Sequence, residues 1–253
     1  LLFNTSILGE SRDSTVIDFN SDGRLGGNLP SMFFHPGFNS TGDVFVNLSN
    51  FTFKNAMGSL TINGVNFLAD SLIVEYAIGG PNGGGMSIEN NEGILSNSII
   101  RYNYATEGGG GLYLANCDIT IDRSLIYGNE VDWNGNYEDY GGNTSGIWNR
   151  GARTNIYNSI VAGNDISHVE HWQEDNDFDP EFLNIVNSII YHGSSLNEYR
   201  LGENISVNCS NVEWEVVEIR SGSNNIFSDP LFIDWENGDF NLEDNSPNID
   251  AGT

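Results

Sequence analysis

Two stretches of the sequence concentrate side chains that could bind a ligand. Glu130–Gly142 and Asp165–Asp179 both mix aromatic rings with carboxylates and amides. The rings that we select are those of Trp133, Tyr137, Tyr140 and Trp172. A sugar can stack its apolar face on such a ring while carboxylates and amides bind its hydroxyl groups. We therefore predict a glycan-binding surface, the alternative being that Trp133 and Trp172 anchor their loops to the body of the protein.

Three carboxylates at alternate positions form a second candidate site. Asp175, Asp177 and Asp179 have the spacing with which hard cations are often bound, and calcium is the cofactor that this pattern indicates. Pro180 and Glu181 follow where a calcium loop would have glycine, so a solvated acidic loop is the alternative. We expect no other cofactor.

Two further matches to metal motifs are incomplete. Asp18 begins a segment that resembles a calcium loop, but its twelfth position is Leu29 instead of an acid, so a strand followed by a corner explains it better. His168 and His171 lie three residues apart without a third ligand at a defined spacing, so we do not predict zinc.

The elements that position these residues come from an internal repeat. The stretch Leu95–Asn103 recurs 26 residues later, and further copies follow at intervals of 35 and 29, with an earlier copy 27 residues before it. The copies are Leu68–Tyr76, Leu95–Asn103, Ile121–Asn129, Ile156–Asn164 and Ile185–Gly193. Three columns result: Leu68, Leu95, Ile121, Ile156, Ile185; Ser71, Ser98, Ser124, Ser159, Ser188; and Ile73, Ile100, Ile126, Val161, Ile190.

A repeat of this length cannot bury its own apolar face, so it must stack on its neighbours. Constant strands with variable spacing, each followed by Gly or Asn, predict a right-handed single-stranded parallel β-helix, an all-β solenoid. The extra residues follow the terminal Asn of each strand, which predicts insertions at one corner and a shared binding face. These insertions are Ala77–Gly85, Tyr104–Gly110, Glu130–Gly142 and Asp165–Asp179.

Two features carry a resemblance to known proteins. The glycine runs Gly83–Gly85 and Gly108–Gly111, each near a strand ending in Asn, resemble the repeats of chlamydial polymorphic outer-membrane proteins. The final segment, from Asn225-Ile-Phe-Ser-Asp-Pro-Leu-Phe to Asp250-Ala-Gly, resembles the closing stretch of secreted β-helix proteins of Bacteroidetes-type bacteria. The resemblance implies the pectate-lyase-like fold and a secreted or cell-surface location, but not one activity.

The same superfamily contains polysaccharide lyases and glycoside hydrolases. Polygalacturonases carry a Gly-His-Gly segment that Tyr191-His192-Gly193-Ser194 only half matches, and their Asn-Thr-Asp and Asp-Asp elements are absent. Nothing in the sequence marks a base with a reason for a lowered pKa. We therefore predict no catalytic residues and keep the enzyme as the alternative.

Charge and composition exclude several functions. The chain has 35 acidic and 9 basic residues, a net charge of −26 and one lysine, Lys54. Such a chain repels nucleic acid and anionic membrane surfaces. No apolar run is long enough to span a bilayer, so we expect no membrane insertion. Because the sequence does not begin with Met, we expect it to be part of a larger secreted protein.

The repeat predicts one β-helix domain over residues 1–253. Residues 1–42 would form its first coil, residues 43–193 its regular coils, and residues 194–253 its irregular last coils and a cap over the lower end. Cys117 and Cys209 fall about three coils apart, too far for a disulfide, so we expect two thiols.

The sequence thus indicates a non-catalytic binding or scaffold module, with a polysaccharide or surface glycan as partner. A polysaccharide lyase or glycoside hydrolase is the first alternative. A purely structural component of a surface assembly, which binds neighbouring surface or secretion proteins, is the second.

The calcium site can be tested directly. If Asp175, Asp177 and Asp179 bind calcium, a chelator should lower the melting temperature, because the bound ion stabilises the folded state. The triple Asn variant should show no response to chelator. Equal melting temperatures in calcium and chelator for the unmodified chain would leave the solvated acidic loop as the explanation.

Overall fold

The computed structural model describes residues 5–19, 32–34, 45–132, 145–164, 169–172, 182–193, 205–213 and 222–251. These residues form β-strands and one 3-10 helix, Trp235–Asn237. In chain order the strands are β1 Thr5–Leu8, β2 Val16–Asp18, β3 Met32–Phe34, β4 Phe45–Lys54, β5 Leu60–Asn63, β6 Asn66–Glu75, β7 Met86–Glu89, β8 Glu92–Ser96, β9 Ile99–Arg101, β10 Tyr104–Ala105, β11 Leu112–Ala115, β12 Asp118–Asp122, β13 Leu125–Tyr127, β14 Glu130–Val131, β15 Ile147–Arg150, β16 Arg153–Tyr157, β17 Ile160–Asn164, β18 Val169–Trp172, β19 Phe182–Val186, β20 Ile189–Gly193, β21 Ile205–Asn208, β22 Asn211–Val212, β23 Phe232–Asp234 and β24 Asp239–Leu242.

Parallel strands from successive coils form three faces of a solenoid. The first face runs through β1, the start of β4 and β6, β8, β12, β16, β19 and β21. The second face runs through β2, the end of β4 and β6, β9, β13, β17, β20 and β22. The third face contains β3, β5, β7, β11, β15 and β18. The predicted right-handed parallel β-helix is confirmed.

Each face ends in a sharp corner at which one residue has a positive φ. The first corner, between the first and second faces, has Asn50, Ser71, Asn97, Arg123, Asn158, Asn187 and Cys209 in this conformation. The second corner has Asn55, Tyr76, Tyr102, Gly128 and Gly163; the third has Gly64, Asn90, Asn116 and Gly151. Asn and Gly enter the left-handed region at low cost, which explains why these residues follow the strands.

The solenoid interior is an aliphatic core that includes fully buried Leu95, Ile121, Ile126 and Ile156. The predicted register of one early copy, Leu68–Tyr76, is wrong by one residue. The structure pairs Leu68 with Ile94, not with Leu95.

The predicted column positions of Leu68, Ser71 and Ile73 are therefore wrong. Ala69, Leu72 and Val74 point into the core in their place. A slip of one residue moves every side chain of a strand to the opposite face.

Polar ladders inside the corners hold the coils in register. The hydroxyl oxygens of Ser98, Ser124, Ser159, Ser188 and Ser210 each accept a hydrogen bond from the backbone N–H of the corresponding residue in the preceding coil, at 3.0–3.2 Å. Each of these hydroxyls also donates to the carbonyl oxygen two residues earlier in its own coil. The predicted serine column is thus a chain of buried, satisfied hydrogen bonds.

A second ladder follows the second corner. Asn129 Oδ1 accepts bonds from the backbone N and Nδ2 of Asn103, at 3.1 and 3.0 Å. Asn164 Oδ1 accepts the same pair of bonds from Asn129, at 3.2 and 3.1 Å. All three asparagines are buried. Each Asn column residue therefore fixes the path of the chain as it leaves the second face.

The described insertions connect the second face to the third. Residues 77–85 lie between β6 and β7, and residues 106–111 lie between β10 and β11, as expected. The fourth predicted insertion contains β18, whose Trp172 pairs with Arg150 of β15.

The final segment contacts both the last coil and the flank of the solenoid. At the last coil, the Val212 N–H donates to the Ile226 carbonyl oxygen at 3.1 Å, and the Ile226 N–H donates to the Ser210 carbonyl oxygen at 2.9 Å. On the flank, Phe240 packs edge-to-face on Tyr127 of the second face, with ring centroids 4.9 Å apart. The predicted cap over the lower end stays a prediction.

Two other expectations concern cysteines and membranes. Cys117 and Cys209 are free thiols, as predicted, and burial raises the pKa of the Cys117 thiol. Across the described ranges, no helix is long and apolar enough to cross a membrane.

Core position 126 provides a test of the packing. Ile126→Asp should destabilise the fold by about 4 kcal/mol, because an unpaired carboxylate replaces a fully buried side chain. In a chain of this size the melting temperature should fall by about 10 °C. Leu125→Asp is the control, since Leu125 is half-buried and points outward. Equal losses in the two variants would contradict the assigned interior.

Candidate functional site

The structure leaves most of the selected residues untested. Trp133, Tyr137, Tyr140, Asp175, Asp177 and Asp179 lie outside the described residues. Trp172 lies in β18, and its backbone continues the third-face column that contains Ala115 and Arg150. It was expected in a loop outside the repeat columns, so its position differs from the prediction. Within the described ranges, no group of three or more His, Cys, Asp or Glu side chains could hold a metal ion.

The described residues form a different candidate site on the outer side of the second face. One column of this face consists of half-buried aliphatic side chains that point away from the core: Ile73, Ile99, Leu125, Ile160 and Ile189. They alternate along the strands with the buried core residues, as half-buried strands require. This aliphatic column gives the second face an apolar strip that runs parallel to the solenoid axis.

A column of paired charges lies beside the aliphatic column. Asp18, Lys54, Glu75 and Arg101 follow one another in register on successive coils, and Tyr127 continues the column. Lys54 Nζ lies 3.4 Å from Asp18 Oδ2, and Arg101 Nη2 lies 2.6 Å from Glu75 Oε2. Opposite charges on adjacent strands stabilise the pairing of the coils.

Two tyrosines occupy the second corner next to this column. Tyr76 and Tyr102 are stacked, with ring centroids 5.4 Å apart and ring planes inclined by 20°. Their φ angles are 54° and 53°, a conformation that bulky residues rarely adopt. Tyr76 is 50% exposed. The same corner has Gly128 in the next coil, where a Cβ atom would lie only 2.8 Å from the Tyr102 ring. The stacked rings therefore lean along the axis and present part of their surface to solvent.

The tyrosine rings continue into a longer row of aromatic contacts. Tyr102 meets Tyr127 edge-to-face at 5.2 Å, and Tyr127 meets Phe240 of the final segment at 4.9 Å. We call Tyr76, Tyr102, Tyr127 and Phe240 the aromatic strip. Tyr127 is buried beneath the final segment, so the accessible part of the strip is the end formed by Tyr76 and Tyr102.

Arg101 connects the charge column to the aromatic strip. Its Nε and Nη2 donate to Glu75 Oε2 at 2.8 and 2.6 Å, and its Nη1 donates to the Tyr127 hydroxyl oxygen at 3.0 Å. The guanidinium carbon also lies 5.6 Å from the centre of the Tyr102 ring, within the range of a cation–π interaction. One side chain thus fixes the positions of both rings and of the neighbouring carboxylate.

Burial is the main cause of the raised pKa values of the two tyrosines Tyr102 and Tyr104 near this corner. It raises the pKa of Tyr102 to about 12, and the hydrogen bond with Tyr127 adds to the effect. Burial, followed by a hydrogen bond with Asp132, also raises the pKa of Tyr104. Both phenols therefore remain neutral hydrogen-bond donors well into the alkaline range.

An open groove borders the aliphatic column on its other side. It has a volume of about 530 Å³, and its lining includes Arg12, Asn97, Ile99, Arg123 and Leu125. The loop between β1 and β2 forms one wall, and Arg12 Nη1 donates to the Asn97 carbonyl oxygen at 2.9 Å. The second face thus lies between this polar groove at the first corner and the aromatic strip at the second.

A second aromatic pair is not available for binding. Tyr113 and Trp148 point outward from the third face and pack with ring centroids 5.1 Å apart, but both are buried. This pair is therefore not accessible to a ligand, whereas Tyr76 and Tyr102 form a partly exposed pair at the second corner.

The sequence contained a weak signal for the tyrosine pair. Tyr76 and Tyr102 are separated by 26 residues, the coil period, and both stand where other copies have Gly. A bulky residue at a position that favours Gly indicates that the side chain has a role of its own. The one-residue error in the register of Leu68–Tyr76 obscured this match.

Comparison with known proteins adds little to these findings. No protein-family model matches the chain, and no curated protein matches it. Among solved structures it is similar to pectate lyase Pel9A, with 16% identity and a TM-score of 0.43, over 96% of this chain and 80% of that chain. A similarity at this level gives no information about activity.

The raised pKa of Tyr102 predicts how stability depends on pH. The unfolded phenol releases its proton near pH 10, and the folded one does so near pH 12. The folded state therefore binds more protons in this range, so stability should fall as the pH rises from about 10 to 12. The free energy of unfolding of Tyr102→Phe, measured by denaturant titration, should fall less steeply across this range. A slope equal to that of the unmodified chain would show that Tyr102 is not shifted.

Proposed function

We propose that the protein is a secreted or cell-surface β-helix module that binds a glycan through the second face, without catalysing its cleavage. The observation that carries the proposal is the stacked pair of Tyr76 and Tyr102 at an exposed corner of the coil. Aromatic rings that are partly exposed and held rigidly are well suited to stack on the apolar face of a sugar.

The conformation of the two tyrosines supports a role beyond packing. A non-glycine residue in the left-handed region costs on the order of 1 kcal/mol, and Gly or Asn would avoid most of that cost. Other coils do use Asn55, Gly128 and Gly163 at the same corner. Tyrosine at positions 76 and 102 therefore costs backbone stability compared with Asn or Gly. This cost is consistent with rings that serve to bind a ligand.

The surroundings of the rings complete a binding surface for an extended chain. The aliphatic column supplies apolar contact along the axis, and the groove beyond it supplies Asn97 and Arg12. Sugar residues have both apolar faces and hydroxyl groups, so they match a surface on which these two kinds of contact alternate. Trp133, Tyr137, Tyr140 and Trp172 stay predicted additions to this surface, and calcium at Asp175, Asp177 and Asp179 stays a predicted cofactor.

One described carboxylate, that of Asp70, is poorly suited to act as a general base. Burial alone would raise the pKa of Asp70, but hydrogen bonds from Ser96, Asn97 and Ser71 lower it overall. A carboxylate with a lowered pKa is a weak proton acceptor at neutral pH. A polysaccharide lyase or glycoside hydrolase is the alternative, and cleavage of a bound glycan would establish it.

Substitutions that respect the corner geometry give the decisive test. Tyr76→Asn and Tyr102→Asn keep a residue that tolerates positive φ, so both should fold as well as the unmodified chain, with Tyr76→Asn slightly more stable. On a glycan array, each should weaken binding about five- to thirtyfold, because one stacked ring contributes on the order of 1–2 kcal/mol. Phe227→Ala is the matched control, since Phe227 is also 50% exposed but lies away from the strip.

Three results would count against the proposal. Unchanged glycan binding in both Asn variants would place the glycan site elsewhere. The predicted insertion residues would then be the next candidates for it. Release of oligosaccharides from a bound polysaccharide in the same samples would show that the protein is an enzyme and not a binding module. Absence of binding to any array glycan would favour the purely structural role.

A further inference from the structure

The charges beside the tyrosine pair are balanced, although the protein as a whole is strongly acidic. The net charge of the chain is −26. In the column next to the aromatic strip, however, two acids and two bases alternate: Asp18, Lys54, Glu75 and Arg101. The column contains the one lysine of the chain. The balance of positive and negative charge in this column is therefore local and does not follow from the average composition of the chain.

The positive charge of Arg101 is fully engaged by groups of the protein. Two of its nitrogens bind one oxygen of Glu75, and a third binds the Tyr127 hydroxyl. The side chains of Arg101 and Glu75 are 30% and 12% exposed, so the pair is largely shielded from solvent. A guanidinium that is paired in this way has little attraction left for an additional anion.

The groups around the rings are also unfavourable for an anionic ligand. Glu130 and Asp132 follow the next coil at the same corner, and both help to raise the pKa of Tyr104. Tyr102 and Tyr104 remain neutral phenols, and their hydrogen bonds with Tyr127 and Asp132 leave their oxygens to accept hydrogen bonds from sugar hydroxyl groups. A carboxylate or sulfate brought to Tyr102 would therefore meet neutral acceptors, a neutralised arginine and a negative field.

From this arrangement we infer that the tyrosine pair recognises a neutral glycan, and that the paired charges of Glu75 and Arg101 exclude sugars that carry carboxylate or sulfate groups. This inference rests on the proposed function, because it assigns the ligand class of the same site. Glu75 acts as a specificity-determining residue: it cancels the charge that would otherwise bind an acidic sugar. Arg101 acts as a positioning residue for the rings.

A pair of oligosaccharides with the same rings and linkages provides the test. We would measure binding of a β-linked gluco-oligosaccharide and of its counterpart with every C6 oxidised to a carboxylate, by calorimetry at low and high salt. The unmodified chain should bind the neutral oligosaccharide at least about tenfold more tightly. Charge repulsion is screened by salt, so this preference should shrink as the ionic strength rises.

Glu75→Gln tests the role assigned to the carboxylate. The substitution keeps the shape and a hydrogen-bond acceptor for Arg101 but leaves its charge uncompensated. The ratio of uronate to neutral affinity should rise about fivefold or more relative to the unmodified chain. Glu92→Gln is the control, because it removes the same charge from an exposed position on the first face and should leave the ratio unchanged.

The outcomes separate the two proposals. Binding of neither oligosaccharide, nor of any array glycan, would overturn the proposed function and the inference with it. Tighter binding of the uronate by the unmodified chain would overturn the inference alone. An equal rise of the ratio in Glu75→Gln and Glu92→Gln would show that overall charge, rather than the Glu75–Arg101 pair, sets the preference.

Discussion

The fold depends on hydrogen bonds that link each coil to the next at the corners. Strands alone would leave the backbone groups of every sharp bend without partners, and buried unpaired groups are costly. At the first corner, Ser124, Ser159 and Ser188 accept a hydrogen bond from a backbone N–H of the preceding coil. Asn129 and Asn164 do the same at the second corner. Because each ladder residue binds the coil before it, register is fixed at every coil.

The same corners determine what the solenoid can display. A corner residue with positive φ directs its side chain out of the coil, and successive coils place such side chains in a row. Asn at this position forms further hydrogen bonds along the first corner, as between Asn97 and Asp70. Tyr76 and Tyr102 instead form a stack at the second corner. The backbone requires one residue with positive φ at each corner, and tyrosine at this position in successive coils gives an exposed row of aromatic rings.

The final segment shows how the chain limits this row. Phe240 packs on Tyr127, and Trp235 covers Gly163, so the lower coils of the second face are occupied by the chain itself. Tyr102 and Tyr76 lie one and two coils above this cover, respectively, next to the charge pair of Arg101 and Glu75. The accessible surface is therefore short, apolar at its centre and locally neutral, which is the combination on which the glycan proposal rests.

The sequence by itself determined the β-helix, because aliphatic and serine columns at a constant offset allow only stacked parallel strands, and Gly or Asn marks the bends. The predicted register of Leu68–Tyr76 is wrong by one residue, since aliphatic side chains lie on both sides of that strand, Leu68 and Ile73 outside and Leu72 and Val74 inside. Only the pairing of the coils distinguishes the two sides. The aromatic strip and the charge pair could be recognised only in three dimensions. Tyr76, Tyr102 and Phe240 are far apart in the chain and meet because the coil period and the returning final segment bring them together.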